Sequence, residues 1–437
     1  MKHKIATMLI AASSDLGAAA QTTDNFKYTD EKFADIQMLR YKVEGFDKLT
    51  LKEKTFIYYL QEAALEGRDI LFDQNGRYNL RIRALLEAVY TNYTGKHDDK
   101  FYKALAVYLK RVWFSSGIHH HYGCEKFLPD FTEQELRNAL HKIPADKLPL
   151  NGQSLDAFCN ELFPVIFNPE VMPMHVNQKD GEDLIQTSAC NYYAPGITQA
   201  EAEEFYAQRK PTNDPYPIMM GMNSRLERND YGMLTERVWR VGGMYTAAIE
   251  RIVDNLLKAR AFADTPEQQK VIDLLVETYR TGDLRTFDDY SIHWLKDTKS
   301  MVDFTNYFTE SYGDPLGMKA SWEAIVNFKD IAATERTKKL SENAQWFEDN
   351  SPVAPEFKKE KVKGVSAKVI TAAILGGDLY PSTAIGINLP NSDWVRREFG
   401  SKSVTIGNLT DAYNKASHGS GMDKEFVIDD ATRALIN

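Results

Sequence analysis

Hydrophobic residues spaced three and four positions apart recur along the chain after a polar lead and predict amphipathic helices. In the first such stretch, Phe56, Leu60 and Ala63 fall on one face of a helix, as residues facing a core do. The same spacing recurs twice more before residue 115. The pattern predicts helices over residues 52–66, 79–93 and 100–114.

Start and stop signals place further helices. In two capping boxes a Thr is followed three residues later by Glu, and a Thr-Pro step with a later Gly marks a third helix. These signals predict helices from Thr132 to about His141, from Thr198 to about Arg209, and from Thr265 to Gly282. A long helix is also predicted over residues 236–263, with a kink or a close helix contact at Gly242 and Gly243.

Strand signals are weaker and concentrate late in the sequence. Two β-branched, apolar runs predict strands at residues 365–375 and 383–389. Earlier, the turn sequence at 229–232 favours a hairpin inside 217–240, whereas 318–343 is predicted to be helical. The expected fold class is therefore α+β, mostly helical, with a small sheet near the end of the sequence.

Composition narrows the classes of function. The chain has 437 residues, enough for two or three domains, and its net charge of −9 argues against non-specific binding of nucleic acid. No stretch approaches the roughly 20 apolar residues of a membrane-spanning helix. Cys124, Cys159 and Cys190 lie far apart, so neither a disulfide framework nor a thiolate zinc site is expected.

Residues 1–22 have some features of a secretory leader. A basic start at 2–4 precedes a short apolar run at 5–12, and small residues follow at 18–20. Polar residues at 13–15 interrupt that run. A leader over 1–22 is therefore one interpretation, and both a cytoplasmic location and export to a bacterial periplasm stay open.

The hexapeptide GINLPN at residues 386–391 combines a proline with two amides three positions apart. Because proline in a sheet is confined to edges, strand starts or bulges, this segment is expected to be a sheet edge with free backbone groups. Such an edge can accept an extended peptide as an added strand, with Asn388 and Asn391 fixing its main chain. The alternative is a strand-to-loop exit in which both Asn residues adopt turn conformations.

Three adjacent histidines, His119, His120 and His121, raise the question of a metal site. Neighbouring side chains do not all point one way on a helix or strand, so two of them at most can share an ion. None of the nine histidines in the sequence is followed by Glu, so the His-Glu-x-x-His zinc pattern is absent from it. The favoured interpretation is a polar loop beside a cleft, and no metal ligands are predicted.

Carboxylates and aromatic side chains are dense between residues 294 and 317. The acids are Asp297, Asp303, Glu310 and Asp314, and the aromatic residues include Trp294, Phe304, Tyr307, Phe308 and Tyr312. A partly desolvated carboxylate binds an ammonium group strongly, which indicates a pocket for a free α-amine. The alternative is a capped helix end followed by an Asp-Pro turn.

Two of these stretches resemble signature sequences of the dipeptidyl peptidase III family, zinc-dependent exopeptidases that remove dipeptides from peptide N-termini. They are VDFTNYFTESYGDPLG at 302–317 and GINLPN at 386–391, and residues 117–122 resemble the bacterial branch. The resemblance covers about residues 26–437. It implies a two-lobed fold with a small β-barrel in the lower lobe and a mostly helical upper lobe that carries zinc.

The resemblance also implies domain boundaries. Residues 23–323 would form the lower lobe, 324–371 would visit the upper lobe, 372–417 would return as barrel strands with GINLPN, and 418–437 would begin the rest of the upper lobe. The family's HExxGH and EExxA zinc motifs would follow Asn437. The upper catalytic lobe is therefore expected to be truncated in this chain.

Site residues follow from the same resemblance. The implied substrate-binding residues are Glu310, Gly386, Asn388, Asn391 and Tyr122, and the implied catalytic residue is Tyr312. Glu310 would meet the amino group of the peptide, and the two amides would hold its main chain. Tyr312 would donate to the scissile carbonyl in the full-length family, and Tyr122 would line the pocket for the first side chain. Tyr307 departs from the family by filling a position that is usually Gly.

Zinc is the cofactor of the full-length family, but none is expected on this chain. Without a Lewis acid and an activated water, peptide hydrolysis by this mechanism has no route, so the chain is expected to be an inactive substrate-binding lobe. The expected partners are short peptides with a free N-terminus. Two alternatives stay open, namely a non-catalytic peptide-binding module and a truncated fragment without function, and the oligomeric state is left open.

Overall fold

The computed structural model describes residues 26–362, 367–381 and 383–417. These residues pack into two units, one formed by Gly45–Gly407 and the other by the described residues that precede and follow this range. The expected leader at 1–22 and the segment 418–437 lie outside the described residues.

Runs of consecutive helices separate pairs of strands along most of the chain. The helices are α1 (Leu51–Glu66), α2 (Arg68–Gln74), α3 (Asn79–Asn92), α4 (Lys100–Phe114), α5 (Glu133–Leu140), α6 (Leu155–Phe167), α7 (Gln199–Ala207), α8 (Thr246–Arg260), α9 (Pro266–Thr281), α10 (Leu284–Lys296), α11 (Ile331–Glu342), α12 (Ala344–Asn350), α13 (Asp393–Phe399) and α14 (Gly407–Ser417). The strands are β1 (Thr29–Phe33), β2 (Ile36–Leu39), β3 (Ser224–Arg228), β4 (Leu234–Val238), β5 (Val302–Glu310), β6 (Ser321–Lys329), β7 (Ala367–Gly377), β8 (Gly386–Leu389) and β9 (Lys402–Ile406).

The smaller unit contains an antiparallel pair of strands, β1 and β2, and most of α14. The hydroxyl of Tyr28 donates to Asp411 at 3.0 Å, and the amide of Asn408 donates to the carbonyl of Lys42 at 3.1 Å. These contacts join the first strand region to the helix that comes almost 400 residues later.

The predicted helix starts are confirmed. Thr132 and Thr198 each accept the backbone N–H of the Glu three residues later, and that Glu bonds back to the Thr N–H. Thr265 caps α9, and Gly282 ends it with a left-handed φ of 72°, a conformation that suits glycine. The three helices predicted from periodicity correspond to α1, α3 and α4.

The prediction of one long helix over 236–263 is wrong. Its first part belongs to β4, which pairs with β3 as the predicted hairpin, and the helix begins only at Thr246. Gly242 has a φ of 74° and lies in the turn between them rather than in a helix. The residues of the half-buried strand β4 happen to be spaced as they would be in a helix, so the sequence pattern extended the predicted helix over them.

The prediction of a helix over 318–343 is also wrong in its first half. Residues Ser321–Lys329 form β6, which is buried along nearly its whole length, and α11 begins only at Ile331. Asp330 separates the two, since its carboxylate accepts the N–H of Ala333 at 2.9 Å as a helix cap does. A strand buried on both faces shows no alternation of polar and apolar residues, so the apolar run merged with the helix that follows.

The main sheet has five strands in the order β5-β6-β7-β9-β8. The pairs are antiparallel except for β7 and β9, which are parallel. The outer strands are thus β5 and β8. A side-chain bond nevertheless joins β5 to the strand next to the opposite edge, since Lys402 on β9 bonds Asp303 on β5 at 2.9 Å. Closure of the sheet into a barrel stays a prediction.

The core of the larger unit centres on β6. Trp322 is fully buried and donates its indole N–H to the hydroxyl of Tyr279 at 3.0 Å. Its ring lies so close to Gly67, at the join of α1 and α2, that a Cβ there would approach it to 2.1 Å. The buried Gln74 accepts the N–H of Trp322 at 2.8 Å and donates to the carbonyl of Ala320 at 3.1 Å. Helices α1 and α2 therefore fix the strand that supports the site.

The α+β class with mostly helical content is confirmed. The implied boundary between residues 323 and 324 falls inside β6, and β7 begins at Ala367, before the implied return at 372. Among the described residues, no helix is both long and apolar enough to cross a membrane.

Candidate functional site

The segment GINLPN lies at the edge of the main sheet, as its proline indicates. Strand β8 pairs on one side with β9. Because the N–H of Ile406 donates to the carbonyl of Ile385, the alternation of an antiparallel pair turns the backbone groups of Ile387 and Leu389 toward β9. The backbone groups of Gly386 and Asn388 then face outward, and both residues are exposed. Pro390 follows the same alternation, so its missing N–H costs no ladder bond.

Asn391 and Glu310 are brought together from opposite ends of the sheet. The amide of Asn391 donates to the carboxylate of Glu310 and to the carbonyl of Thr309, both at 3.2 Å. Glu310 ends β5, and both side chains are half-buried. Burial raises the pKa of Glu310, while the bond from Asn391 and the charge of Arg396 lower it. The carboxylate therefore lies next to the exposed edge in a partly desolvated position.

Two further carboxylates lie close to Glu310, namely Glu323 on the next strand and Asp378 directly after the strand beyond it. Glu323 on β6 is 2% exposed, and burial raises its pKa well above the usual value, with the charges of Glu310 and Asp378 adding to the effect. Asp378 directly follows β7, and burial raises its pKa to about 6, although a bond from Ser321 lowers it. Three acids thus share one region, and the charges of neighbouring carboxylates disfavour the ionised forms of Glu323 and Asp378. A bound cation would relieve that repulsion.

Sequence reasoning did not identify Glu323 or Asp378 as site residues. A charged residue inside the apolar run of β6 is a signal that could have found Glu323, because glutamate is rarely buried without a reason. Asp378 lies between the two predicted strands at 365–375 and 383–389, and its approach to Glu310 depends on the pairing of β6 with β7.

The turn after β5 carries Tyr312 and is built around Asp314. The Asp314 side chain accepts the backbone N–H groups of Met318 and Lys319, both at 2.8 Å, and the hydroxyl of Tyr193 at 3.1 Å. Asp314 is 1% exposed. The Asp-Pro turn interpretation is therefore correct for this loop, but a strand rather than a helix precedes it.

Lys319 anchors the same loop from its other end. Its fully buried ammonium donates to the hydroxyl of Tyr206 at 2.7 Å and to the carbonyl of Gly221 at 3.2 Å. Burial lowers the pKa of Lys319 to about 8, while the charges of Glu236 and Asp314 raise it. The loop is thus fixed at two buried charges, and Tyr312 at its start is 82% exposed.

Tyr122 lies in a different part of the site region. It is 69% exposed and packs against His121, with ring centroids 4.9 Å apart. His121 lines a cavity of about 50 Å³ together with Asp378 and Tyr380, whereas Tyr122 does not line it. The loop of Tyr122 therefore approaches the acidic residues, and a role of Tyr122 itself in holding a side chain stays a prediction.

The three adjacent histidines do not all point one way, although the rings of His120 and His121 stack with their centroids 4.6 Å apart. His119 is buried and bonds the carbonyl of Met172 at 2.9 Å, while the ring of His120 accepts the N–H of Tyr122 at 3.1 Å. His121 bonds the hydroxyl of Ser115 at 3.1 Å. Within residues 26–362, 367–381 and 383–417, no three His, Cys, Asp or Glu side chains lie together as metal ligands would.

Behind the edge strand lies a small apolar cavity of about 20 Å³. The segment Leu389–Asn391 forms one wall of it, and aromatic side chains from α10 and β5 form the other, including Phe287, Tyr290 and Tyr307. Tyr307 is accommodated within β5, since it is buried, stacks on Phe287 at 4.5 Å and accepts the amide of Asn223 at 3.1 Å. The bulky residue at this position therefore packs inside the strand.

A family model described as peptidase family M49 matches residues 189–435, more than half of the chain. Among curated proteins, dipeptidyl peptidase 3 of Dictyostelium discoideum is 26% identical over 396 residues, and the match covers 84% of this chain and 54% of the relative. Dipeptidyl peptidase 3 of Nematostella vectensis is 23% identical over 439 residues, 90% of this chain and 58% of the relative. The chain thus spans somewhat more than half the length of these relatives.

Solved structures show the same fold. The structure of DPP III from Caldithrix abyssi matches with a TM-score of 0.61 at 19% identity, covering 87% of this chain and 58% of that one. The structure of dipeptidyl-peptidase III from Corallococcus sp. strain EGB matches with a TM-score of 0.60 at 18% identity, covering 86% and 57%.

Proposed function

The chain belongs to peptidase family M49, and from that premise we propose that it supplies the substrate-binding part of a dipeptidyl peptidase. It would bind the N-terminal part of a short peptide as an added strand on β8. The observation that carries the proposal is the meeting of the half-buried Glu310 with Asn391 beside an exposed sheet edge.

The geometry gives the bound peptide a direction. Glu310 and Asn391 lie at the C-terminal end of β8, so an amino group held there places the first peptide residue at that end. The peptide then runs back toward Gly386, antiparallel to β8. The outward backbone groups of Asn388 and Gly386 would pair with alternate peptide residues.

Charge supports the choice of a free amine as the group recognised. The charge of Glu310 raises the pKa of Glu323 and of Asp378, in addition to the effect of burial. An ammonium group would pair with the ionised form of Glu310 and reduce that repulsion. An acetylated N-terminus has no charge to offer and would lose this interaction.

The metal of the family does not fit the described residues. They provide no group of three His, Cys, Asp or Glu side chains that could hold zinc. The proposal therefore assigns binding and orientation of the peptide to this chain and derives no hydrolytic step. By the family resemblance, Tyr312 would assist at the scissile carbonyl. Tyr312 is exposed in the turn after β5, so a substrate can reach it.

The binding proposal is tested by calorimetry with a tetrapeptide and its N-acetylated twin. We expect the free-amine peptide to bind about tenfold or more tightly, as the loss of one charged hydrogen bond implies. Glu310→Gln, which keeps the size and removes the charge, should reduce binding of the free-amine peptide to the level of the acetylated one. Glu335→Gln, at an exposed position on α11, is the matched control. Equal affinity for both peptides in the wild-type chain would contradict the proposal.

A further inference from the structure

A buried carboxylate lies on the helix behind the proposed peptide-binding edge. Asp288 is in the middle of α10 and is 3% exposed. It accepts the indole N–H of Trp394 at 3.3 Å and lies 3.5 Å from the guanidinium of Arg285. Trp394 is the second residue of α13, which begins two positions after Asn391.

A short series of contacts connects Asp288 with the proposed peptide-binding edge at β8. The side chains of Trp394 and Val395 pack against Ile292 on α10, so α13 rests on that helix. The N-terminal end of α13 is continuous with Asn391, whose amide bonds Glu310. The cavity behind the edge has α10 residues on one side and Leu389–Asn391 on the other. Within this series of contacts, the bond from Trp394 to Asp288 is a directional polar contact between the two helices.

A purely structural contact at this place would not need a carboxylate. Burial raises the pKa of Asp288 to about 6, even though the side chains of Trp394 and Ser392 and the charge of Arg285 act to lower it, and the neighbouring Asp289 raises it further. An ionised group in this position therefore opposes folding, and an apolar residue of similar size would pack there at least as well. An apolar residue at this position could not form the directional hydrogen bond that Asp288 accepts from Trp394.

We propose that Asp288 is a positioning residue for the peptide-binding edge: by holding the indole of Trp394, it fixes the start of α13 and thereby the place of Asn391. The inference rests on the proposed function, since it concerns the same edge. Asp288 does not line the edge and is not proposed to touch the peptide.

Peptide affinity gives the first test, with variants that separate the bond from the packing. We expect Asp288→Leu and Trp394→Phe each to weaken binding of the free-amine tetrapeptide about fivefold to tenfold, and the double variant to be no weaker than either single one. Asp288→Asn keeps an oxygen that can accept the indole N–H and should bind within about twofold of the wild type. Asp289→Asn, at the exposed neighbouring position, is the control.

The indole N–H resonance of Trp394, assigned by its loss in Trp394→Phe, gives a test that needs no peptide. The charged groups acting on Asp288 are Arg285 and Asp289 on α10, and Arg285 also lies 3.7 Å from Asp214. We expect the resonance to shift with a midpoint near pH 6 in the wild type and at a somewhat lower pH in Asp289→Asn, because the charge of Asp289 raises the pKa of Asp288, and not to shift in Asp288→Asn.

Wild-type affinity in Asp288→Leu, or an indole resonance insensitive to Asp288, would overturn the inference. Equal losses in Asp288→Asn and Asp288→Leu would also overturn it, because they would show that the charge rather than the bond matters. If the wild-type chain binds no peptide, the proposed function itself fails, and the indole titration distinguishes that outcome from a missing contact.

Discussion

The structure gives Glu310 contacts that the sequence alone does not reveal. In the sequence it is one of several acids among aromatic residues, and its interpretation as an amine-binding group rests on resemblance. In the structure it bonds Asn391, which is 81 residues later, and it lies near Glu323 and Asp378. No local pattern brings these groups together, because each comes from a different strand or from the residue after one.

The shared acidity of these residues predicts how peptide binding depends on pH. Ammonium binding needs ionised carboxylates, and Asp378 becomes neutral as the pH falls through about 6. We therefore expect the affinity for a free-amine peptide to fall about threefold to tenfold between pH 7.5 and 5.5, because a proton and the ammonium group compete for the same charge. Calorimetry across this range measures the effect.

Asp378→Asn should flatten the pH dependence of peptide affinity near pH 6. Its matched control is Asp230→Asn, in the exposed hairpin turn. An affinity that stays constant or rises on acidification would contradict the assignment of the acidic residues to amine binding.

At the scale of elements, the capping signals predicted helix starts correctly, whereas the buried strands escaped prediction. Thr132, Thr198 and Thr265 act through neighbours three residues away, so the sequence contains the whole contact. Strands β5 and β6 are buried on both faces, and their partners lie far along the chain. GINLPN is intermediate, since its proline indicates an edge without saying which strand it pairs with.

The loop between β5 and β6 gives a prediction at this scale. Asp314 accepts two backbone N–H groups at 2.8 Å and the Tyr193 hydroxyl at 3.1 Å in a buried position. Asp314→Ala should therefore lower the free energy of unfolding by about 3 kcal/mol, because it leaves several buried donors without an acceptor. Urea denaturation followed by tryptophan fluorescence measures the change.

Asp230→Ala, in the exposed turn of the β3–β4 hairpin, is the comparison and should change stability by less than about 0.5 kcal/mol. A wild-type stability in Asp314→Ala would mean that the loop, and with it the position of Tyr312, is held by other contacts.

At the scale of the whole molecule, the resemblance identified the family that the comparisons show, and the α+β class was predicted correctly. Physical reasoning from the residues had left the peptide-accepting edge and the strand-to-loop exit open; the sheet order places β8 outermost, Pro390 and Asn391 follow the strand, and acceptance of a peptide by this edge stays a prediction. The implied domain boundaries stay predictions, and one of them falls inside β6. Binding of a peptide to β8 and the catalytic competence of the whole protein are proposals.

The most direct test of strand addition on β8 is amide hydrogen exchange at single-residue resolution, with and without a saturating free-amine tetrapeptide. We predict that the N–H groups of Gly386 and Asn388, which face outward, exchange fast in the chain alone and become protected by the peptide. The N–H groups of Ile387 and Leu389 already face β9 and should change little. Protection confined to other parts of the chain, with Gly386 and Asn388 unaffected, would contradict the account.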